Sequence, residues 1–249
     1  MIFIYILIGI VQGLTEFLPI SSSGHILLIS EIFNVDCDII FLSVVAHLGT
    51  LLSVIICMRK KIAYSITHPF CKTNWKLLIA TLPCVIFVLL FNDLVDKLYS
   101  VYFLVAGFLI TGILLIVADL IKPKNKPLNY KHSLFMGLMQ GIAILPGISR
   151  SGSTMAVGMM SGADKNEVCD FTFLMSIPII IASAIFESME MFVIGINIEI
   201  LPAIIVFGTS FIFGILSIKL MLKTLKSNKL YVFSIYLLII SIITLLVVI

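Results

Sequence analysis

The fold is decided by a polar break within the apolar N-terminal segment, Gln12-Gly13-Leu14-Thr15-Glu16-Phe17-Leu18-Pro19-Ile20-Ser21-Ser22-Ser23-Gly24-His25. Residues 2–18 and residues 26–33 on either side of the break are apolar. Each run is shorter than the roughly 20 residues that an ordinary membrane-spanning helix needs. Because Pro ends a helix and Ser commonly begins one, the stretch predicts a helix, a break and a second helix.

A second break of the same kind lies in the other half of the chain, where apolar residues 133–145 lead into Pro146-Gly147-Ile148-Ser149-Arg150-Ser151-Gly152-Ser153-Thr154. Residues 9–26 can be laid over residues 137–154 without a gap. The identical pairs are Gly9 with Gly137, Gln12 with Gln140, Gly13 with Gly141, Ile20 with Ile148, Ser21 with Ser149, Ser23 with Ser151 and Gly24 with Gly152. Shared hydrophobicity does not explain matches that are mostly polar or Gly, so the sequence predicts an internal repeat.

The composition is that of a membrane protein. Of the 249 residues, 61% are hydrophobic and 12% are charged, whereas soluble domains are about half apolar and about a quarter charged. The segments that are long and apolar enough to cross are 38–58, 75–92, 101–121, 169–189, 199–219 and 230–249. Little length remains between them, so we predict a single membrane domain over residues 1–249.

The basic residues predict the orientation of this domain. Most of them lie in three connectors, as Arg59, Lys60, Lys61, Lys72 and Lys76, then Lys122, Lys124, Lys126 and Lys131, then Lys219, Lys223, Lys226 and Lys229. The positive-inside rule places all three connectors in the cytoplasm. The broken segment, residues 132–163, must then return to the side where it begins. The same count places the first hairpin, residues 2–33, and both chain termini outside.

These patterns together predict an all-α integral membrane protein with an inverted-topology repeat, which has six transmembrane helices and two re-entrant helical hairpins. The two repeats comprise approximately residues 1–121 and 130–249. In folds of this kind the broken helices meet near the middle of the membrane and form the binding site there.

Glu16 and Arg150 are the charged residues at the breaks, where a charge needs a reason because an unpaired charge in hydrocarbon is costly. One interpretation is that they pair only to hold the hairpins together. The hydroxyl groups around both residues favour the other interpretation, a binding or catalytic site.

The first hairpin offers oxygen ligands and a run of hydroxyl groups. Gln12 and Glu16 are four apart and share one helix face, whose amide and carboxylate oxygens suit Mg²⁺ or Ca²⁺. Residues 21–23 begin the returning helix, where Ser either caps the helix or helps to bind an anion. His25 lies one turn beyond Ser22, within reach to take a proton from a hydroxyl or to bind phosphate.

The second hairpin offers an anion clamp. Arg150 presents a planar fork that pairs with phosphate through two hydrogen bonds. The hydroxyl groups beside it belong to Ser149, Ser151, Ser153 and Thr154. With the carboxylate, hydroxyl and imidazole of the first hairpin, these groups supply the parts of a phosphoryl-transfer site.

Two further features have simpler interpretations. His47 lies in the 38–58 segment, where helix packing is the simpler interpretation and support of the site residues is the alternative. Each hairpin has two Gly residues spaced four apart, which predict close approach of another helix. They are Gly9, Gly13, Gly137 and Gly141.

The two breaks closely resemble the signature motifs of the bacterial undecaprenyl-diphosphate phosphatase family, also called bacitracin-resistance proteins. The first motif of that family reads (E/Q)xxxE, followed by a Ser-rich stretch and His. The second reads PGxSRSxxT. Both occur here in order, and the hydropathy profile is similar over essentially the whole chain.

The resemblance implies hydrolysis of undecaprenyl diphosphate to undecaprenyl phosphate and inorganic phosphate, with a divalent cation, on the outer face of the bacterial plasma membrane. By motif position, Ser22 resembles the nucleophile, with His25 as the other candidate. Glu16 and His25 resemble base or metal-associated groups, and Gln12 takes the Gln option of the motif. Arg150 resembles the diphosphate clamp. The groups that would help it bind substrate are the hydroxyls of Ser21, Ser23, Ser149, Ser151 and Thr154.

The expected partners are therefore a polyprenyl diphosphate and the membrane lipids, with no nucleic acid, and the sequence is compatible with a homodimer. A transporter or flippase of a prenyl phosphate is the alternative function, because inverted repeats with broken helices also serve alternating access.

Overall fold

The computed structural model describes residues 2–33, 39–98, 100–121, 126–194, 199–227 and 229–248. Within these ranges the chain forms ten helices, and the β-structure consists of one isolated bridge between Lys126 and Ala163. The helices are α1 Ile2–Phe17, α2 Ser22–Phe33, α3 Ile39–Thr67, α4 Lys72–Lys97, α5 Val101–Leu120, α6 Tyr130–Ile142, α7 Arg150–Met160, α8 Lys165–Ile194, α9 Ile200–Lys226 and α10 Tyr231–Val248.

Five of the six predicted spanning segments each correspond to one long apolar helix. Stretches long and apolar enough to cross a membrane are Ile39–Thr67, Lys72–Phe91, Val101–Leu120, Lys165–Met189 and Ile200–Leu225. The sixth predicted segment, 230–249, corresponds to α10, which is a shorter apolar helix. Several helices extend past the predicted segments, because hydropathy marks only the apolar part of a helix that continues into polar residues.

Large apolar side chains cover the outside of the helices. Leu89, Leu120 and Leu246 are each more than three-quarters exposed, and many other Ile, Leu and Phe side chains are exposed with them. Lipid is the solvent that favours such a surface, because lipid tails are as apolar as these side chains and contact between them costs no free energy. The chain is therefore an all-α integral membrane protein that crosses the membrane several times.

Both predicted breaks are present. The chain leaves helical structure between α1 and α2 and again between α6 and α7, so each hairpin consists of two short helices joined at a break. The first connection contains Ser21 with φ 69, and the second contains Gly147 with φ 82. Positive φ is rare for residues other than Gly, so the first connection holds Ser21 in a strained conformation.

The hairpins pack on helices from the opposite half of the chain. α1 lies along α9, and α6 lies along α4, while α5 packs on α10 and α3 packs on α8. Gly residues line both hairpin contacts: a Cβ added to Gly13 would lie 2.6 Å from the carbonyl oxygen of Ser210. A Cβ added to Gly137 would lie 2.4 Å from that of Ala80. The prediction of close helix approach at these Gly residues is confirmed.

The two ends of the second hairpin are joined by backbone hydrogen bonds. The backbone N–H of Lys126, just before α6, donates to the carbonyl of Gly162, just after α7, at 3.2 Å. The N–H of Asp164 donates back to the carbonyl of Lys126 at 2.8 Å. Lys122 and Lys124 of the same predicted connector lie outside the described residues.

A core of buried aromatic residues connects the halves. Phe17 at the end of α1 meets Phe173 of α8 edge to face, with ring centroids 5.8 Å apart. Phe108 of α5 is also fully buried in this cluster. The core therefore fixes the end of α1 just before the first break.

Candidate active site

A cavity of about 200 Å³ lies where the two breaks meet. Its polar lining residues come from both hairpins and from α3 and α8. They are Thr15, Glu16, Ser21, Ser22, Ser23, His47, Gln140, Ser149, Arg150, Ser183 and Glu187. The apolar part of the lining includes Ile144, Ile148 and Ile180. The predicted site residues Glu16, Ser22 and Arg150 thus lie in one chamber.

Glu16 is the buried carboxylate of this cavity. Its Oε2 accepts hydrogen bonds from the Ser22 hydroxyl at 2.7 Å and from the Gln12 amide at 3.1 Å. Its Oε1 accepts from the Arg150 guanidinium. Its three partners thus come from α1, from the start of α2 and from α7, and the carboxylate is held on three sides.

Arg150 pairs with Glu16 across the two hairpins. A second guanidinium nitrogen donates to the carbonyl of Ser176 in α8 at 3.4 Å. The side chain keeps 18% of its surface accessible, whereas that of Glu16 keeps 3%. The pair holds the hairpins together and also leaves part of the guanidinium open to the cavity, so the two interpretations drawn from the sequence are compatible.

Two helix N-termini point their polar ends to the same cavity. α2 begins at Ser22 and α7 begins at Arg150, and both residues line the chamber. Ser149 caps α7, because its hydroxyl accepts from the N–H of Gly152 at 3.1 Å. Unpaired N–H groups and the helix dipole make each N-terminus favourable for an anion.

Two of the predicted substrate-binding hydroxyls donate hydrogen bonds to backbone carbonyls. The Ser151 hydroxyl donates to the carbonyl of Leu18 in the first break at 2.9 Å, so it joins the hairpins. The Thr154 hydroxyl donates to the carbonyl of Arg150 at 2.7 Å. Neither residue lines the cavity as described, whereas Ser21, Ser23 and Ser149 do. Substrate contacts of Ser151 and Thr154 stay predictions.

His25 lies on the other side of α2. Its Nδ1 is 2.7 Å from the carbonyl oxygen of Ser21, and its Nε2 is 2.6 Å from the Tyr236 hydroxyl of α10. It lines an apolar groove of about 390 Å³ between α1, α2 and α10. The sequence suggested that His25 and the Ser22 hydroxyl share a face, but that hydroxyl bonds to Glu16 instead. A catalytic role for His25 stays a prediction.

The oxygen donors around Gln12 suit a hard cation. The Gln12 side chain is buried, and its Oε1 has no hydrogen-bond partner. It is joined through its amide nitrogen to the Glu16 carboxylate. Mg²⁺ and Ca²⁺ prefer such oxygens, and Mg²⁺ in particular is often held by few protein ligands together with substrate phosphates. In the described part of the chain, no cluster of three His, Cys, Asp or Glu residues could hold a metal by itself.

Some cavity residues were not predicted as site residues from the sequence. Glu187 and Ser183 come from α8, and Gln140 comes from α6. Glu187 lies inside the predicted 169–189 segment, and an acidic residue at that position is itself a signal of function. Gln140 had a signal as well, because the internal repeat pairs it with Gln12.

His47 of α3 lies between two carboxylates. Its Nε2 is 4.0 Å from Glu16 Oε2, and its Nδ1 is 3.8 Å from Glu187 Oε2. The Ser43 hydroxyl lies 3.3 Å from Nδ1. Since His47 also lines the cavity, its position agrees with support of the site residues better than with helix packing alone.

The geometry agrees with the relationship to known proteins. The family described as "Bacitracin resistance protein BacA" matches residues 5–243. The chain belongs to this family. The match includes both breaks and every residue of the cavity.

Curated relatives are identical to this chain at about a third of the aligned residues. "Undecaprenyl-diphosphatase" of Carboxydothermus hydrogenoformans is 34% identical over 238 residues, which cover 93% of this chain and 91% of that protein. "Undecaprenyl-diphosphatase 3" of Bacillus cereus is 36% identical over 236 residues, or 92% and 91% of the two chains. "Undecaprenyl-diphosphatase" of Thermosipho africanus is 36% identical over 249 residues, or 96% and 97%.

Proposed function

We propose that the protein hydrolyses undecaprenyl diphosphate to undecaprenyl phosphate and inorganic phosphate, and so regenerates a carrier lipid of cell-wall synthesis. One observation carries the proposal: a carboxylate, a serine hydroxyl and a guanidinium from two hairpins share one cavity with two helix N-termini. The relatives named undecaprenyl-diphosphatase support the lipid substrate.

The first step is binding of the diphosphate. Arg150 and the N-termini of α2 and α7 supply the positive charge and N–H groups that a phosphate needs. The prenyl chain remains in lipid or in an apolar groove between helices, such as the one lined by Leu28 and Ile240.

The second step is attack on the terminal phosphorus. The Ser22 hydroxyl already donates to Glu16, so the carboxylate takes its proton as the Ser22 oxygen forms a bond to phosphorus. The bond from that phosphorus to the bridging oxygen breaks, and the lipid phosphate leaves with the electron pair. Water then cleaves the phosphoserine, which releases inorganic phosphate and restores Ser22.

The geometry supports Ser22 over His25 as the attacking group. Both ring nitrogens of His25 have partners, the carbonyl of Ser21 and the hydroxyl of Tyr236, and His25 itself is not among the residues that line the cavity. His25 then acts by fixing the start of α2 against Tyr236.

An acid-stable, alkali-labile phosphoenzyme that disappears in Ser22→Ala supports the assignment, whereas an acid-labile one that persists in this variant contradicts it.

A divalent cation, Mg²⁺ or Ca²⁺, is part of the proposal. Glu16 and Gln12 would hold it, with substrate oxygens and water as the remaining ligands. When bound, it would offset negative charge on the phosphate oxygens. The unpartnered Oε1 of Gln12 supports this assignment.

For the topology, we propose six transmembrane helices and two re-entrant hairpins in inverted repeats of about 1–121 and 130–249. The helix contacts support this, because the first helix of each repeat packs on the fourth helix of the other repeat: α1 packs on α9, and α6 packs on α4. The bridge between Lys126 and Ala163 supports a second hairpin that returns to its own side. We place the cavity and both termini outside. In a variant without the five native Cys residues, Lys131→Cys should then react with a membrane-impermeant maleimide in inverted vesicles and not in intact cells.

Phosphate release from undecaprenyl diphosphate by purified protein in detergent micelles tests the activity. Wild type should release phosphate, and Arg150→Ala and Glu16→Ala should not. Because micelles have no compartments, a protein that only transports prenyl phosphate would release none. Near wild-type turnover in either variant would contradict the site.

A further inference from the structure

Gln140 lines the cavity and carries a buried amide without a partner. The residue keeps 1% of its surface accessible, and neither Oε1 nor Nε2 has a hydrogen-bond partner. Its backbone carbonyl accepts from the Cys84 thiol at 3.8 Å, so the main chain is satisfied and the amide is not. A buried polar group without a partner is costly, and in native proteins it calls for an explanation.

The internal repeat supplies the explanation. It pairs Gln140 with Gln12, and it pairs Ile144 with Glu16. In the first hairpin the Gln12 amide nitrogen donates to the carboxylate four residues later. In the second hairpin Ile144 stands in place of that carboxylate, so the same amide lacks an anion from the protein.

We propose that Gln140 is a substrate contact, whose Nε2 donates a hydrogen bond to a phosphate oxygen of the lipid diphosphate. The inference rests on the proposed function and adds a binding residue to it. The diphosphate offers only acceptors, and Nε2 is a donor that lines the same cavity as Arg150. Substrate binding therefore gives the amide the anionic partner that Gln12 has within the chain.

This role differs from a structural role in its effect on stability. An amide that is unpaired until substrate binds destabilises the free protein, so an apolar side chain of similar length should be tolerated or stabilising. A structural amide would give the opposite result. Activity and stability of Gln140→Met should therefore change in different directions.

The experiment measures phosphate release from undecaprenyl diphosphate in micelles and thermal unfolding without substrate. For Gln140→Met we expect kcat/KM to fall about 10- to 100-fold, the range for losing a hydrogen bond to a charged group. Its unfolding midpoint should be no lower than that of wild type. The kcat/KM of Gln140→Glu should fall further than that of Gln140→Met, because a carboxylate repels the phosphate.

Ser133→Ala is the matched control, because Ser133 is buried on the same helix but its hydroxyl bonds to Asn129 at the far end. It should keep kcat/KM within about twofold of wild type. If wild type releases phosphate and Gln140→Met keeps its kcat/KM, or loses stability along with activity, the inference is wrong. A Gln140→Glu variant that is more active than Gln140→Met and needs less cation would also overturn it, by assigning the amide oxygen to the cation. No phosphate release by wild type would instead reject the proposed function.

Discussion

The first hairpin, α1 and α2, and the second hairpin, α6 and α7, share their structural residues and differ at two positions that face the cavity. Both place Gly against a long helix of the other half, and both place Ser before the returning helix. The overlay pairs Glu16 with Ile144 and Ser22 with Arg150. The first hairpin therefore supplies a carboxylate and a hydroxyl, and the second supplies a guanidinium. The same hairpin structure occurs twice, and the differences at these two positions bring three different functional groups into one cavity.

Removing the charge of the first hairpin should have the largest effect. Glu16→Gln keeps the size and the helix but removes the group that accepts the Ser22 proton. We expect phosphate release to fall about 10²- to 10⁴-fold, the usual contribution of a general base. Glu31→Gln in the same hairpin is the control, because Glu31 is exposed outside the cavity. Loss of less than about tenfold in Glu16→Gln would contradict the assigned role.

The pairing between the hairpins should appear in stability. Glu16→Gln or Arg150→Gln alone leaves one buried charge without a partner, which costs about 3–5 kcal/mol. The double variant removes both charges and should unfold at a higher temperature than either single variant. For comparison, Lys61→Gln should cost under about 1 kcal/mol, because its ion pair with Asp170 is partly exposed to solvent. Additive losses in the double variant would mean that Glu16 and Arg150 are not coupled.

Separating the breaks tests whether their contact matters. A Cβ at Gly152 would lie 2.8 Å from the Cβ of Pro19, so Gly152→Ala should push the hairpins apart and destabilise the protein by about 1–3 kcal/mol. Gly208→Ala is the control, since no atom lies within 4 Å of its added Cβ. Thermal unfolding and phosphate release should both fall for Gly152→Ala alone. Equal stability of the two variants would show that the breaks are not in tight contact.

The smallest effect concerns the strained turn of the first hairpin. Ser21 has φ 69, a conformation that Gly adopts readily and Ala does not. Ser21→Gly should therefore be more stable than Ser21→Ala by about 1 kcal/mol, while both lose the same hydroxyl. Thermal unfolding of the two variants checks this. If Ala were as stable as Gly, the positive φ would be absent in the protein.

The sequence predicted the features that depend on local pattern. Apolar length identified the long helices, and Pro and Ser identified the ends of the broken ones. Motif position brought Glu16, Ser22 and Arg150 into one hypothesis, and the structure places these three side chains in one cavity. Repeat spacing also identified the Gly residues that contact α9 and α4.

Features that depend on the rotation of one helix against another could not be predicted in this way. His25 and Ser22 are one turn apart, yet α2 is rotated so that His25 meets Tyr236 and Ser22 meets Glu16. Glu187 and His47 belong to different long helices, and only the packing of α3 on α8 brings them together. Sequence spacing within a helix does not determine which neighbour each face meets.

The ion pair between Glu16 and Arg150 balances the two charges at the breaks before any substrate arrives. In the proposed function, an arriving diphosphate would compete with Glu16 for the guanidinium, so binding would exchange one ionic partner for another. A weakly charged anion would compete poorly in that exchange. The same exchange would free the Glu16 carboxylate beside Ser22. Binding of the substrate would therefore also make the base available that accepts the Ser22 proton.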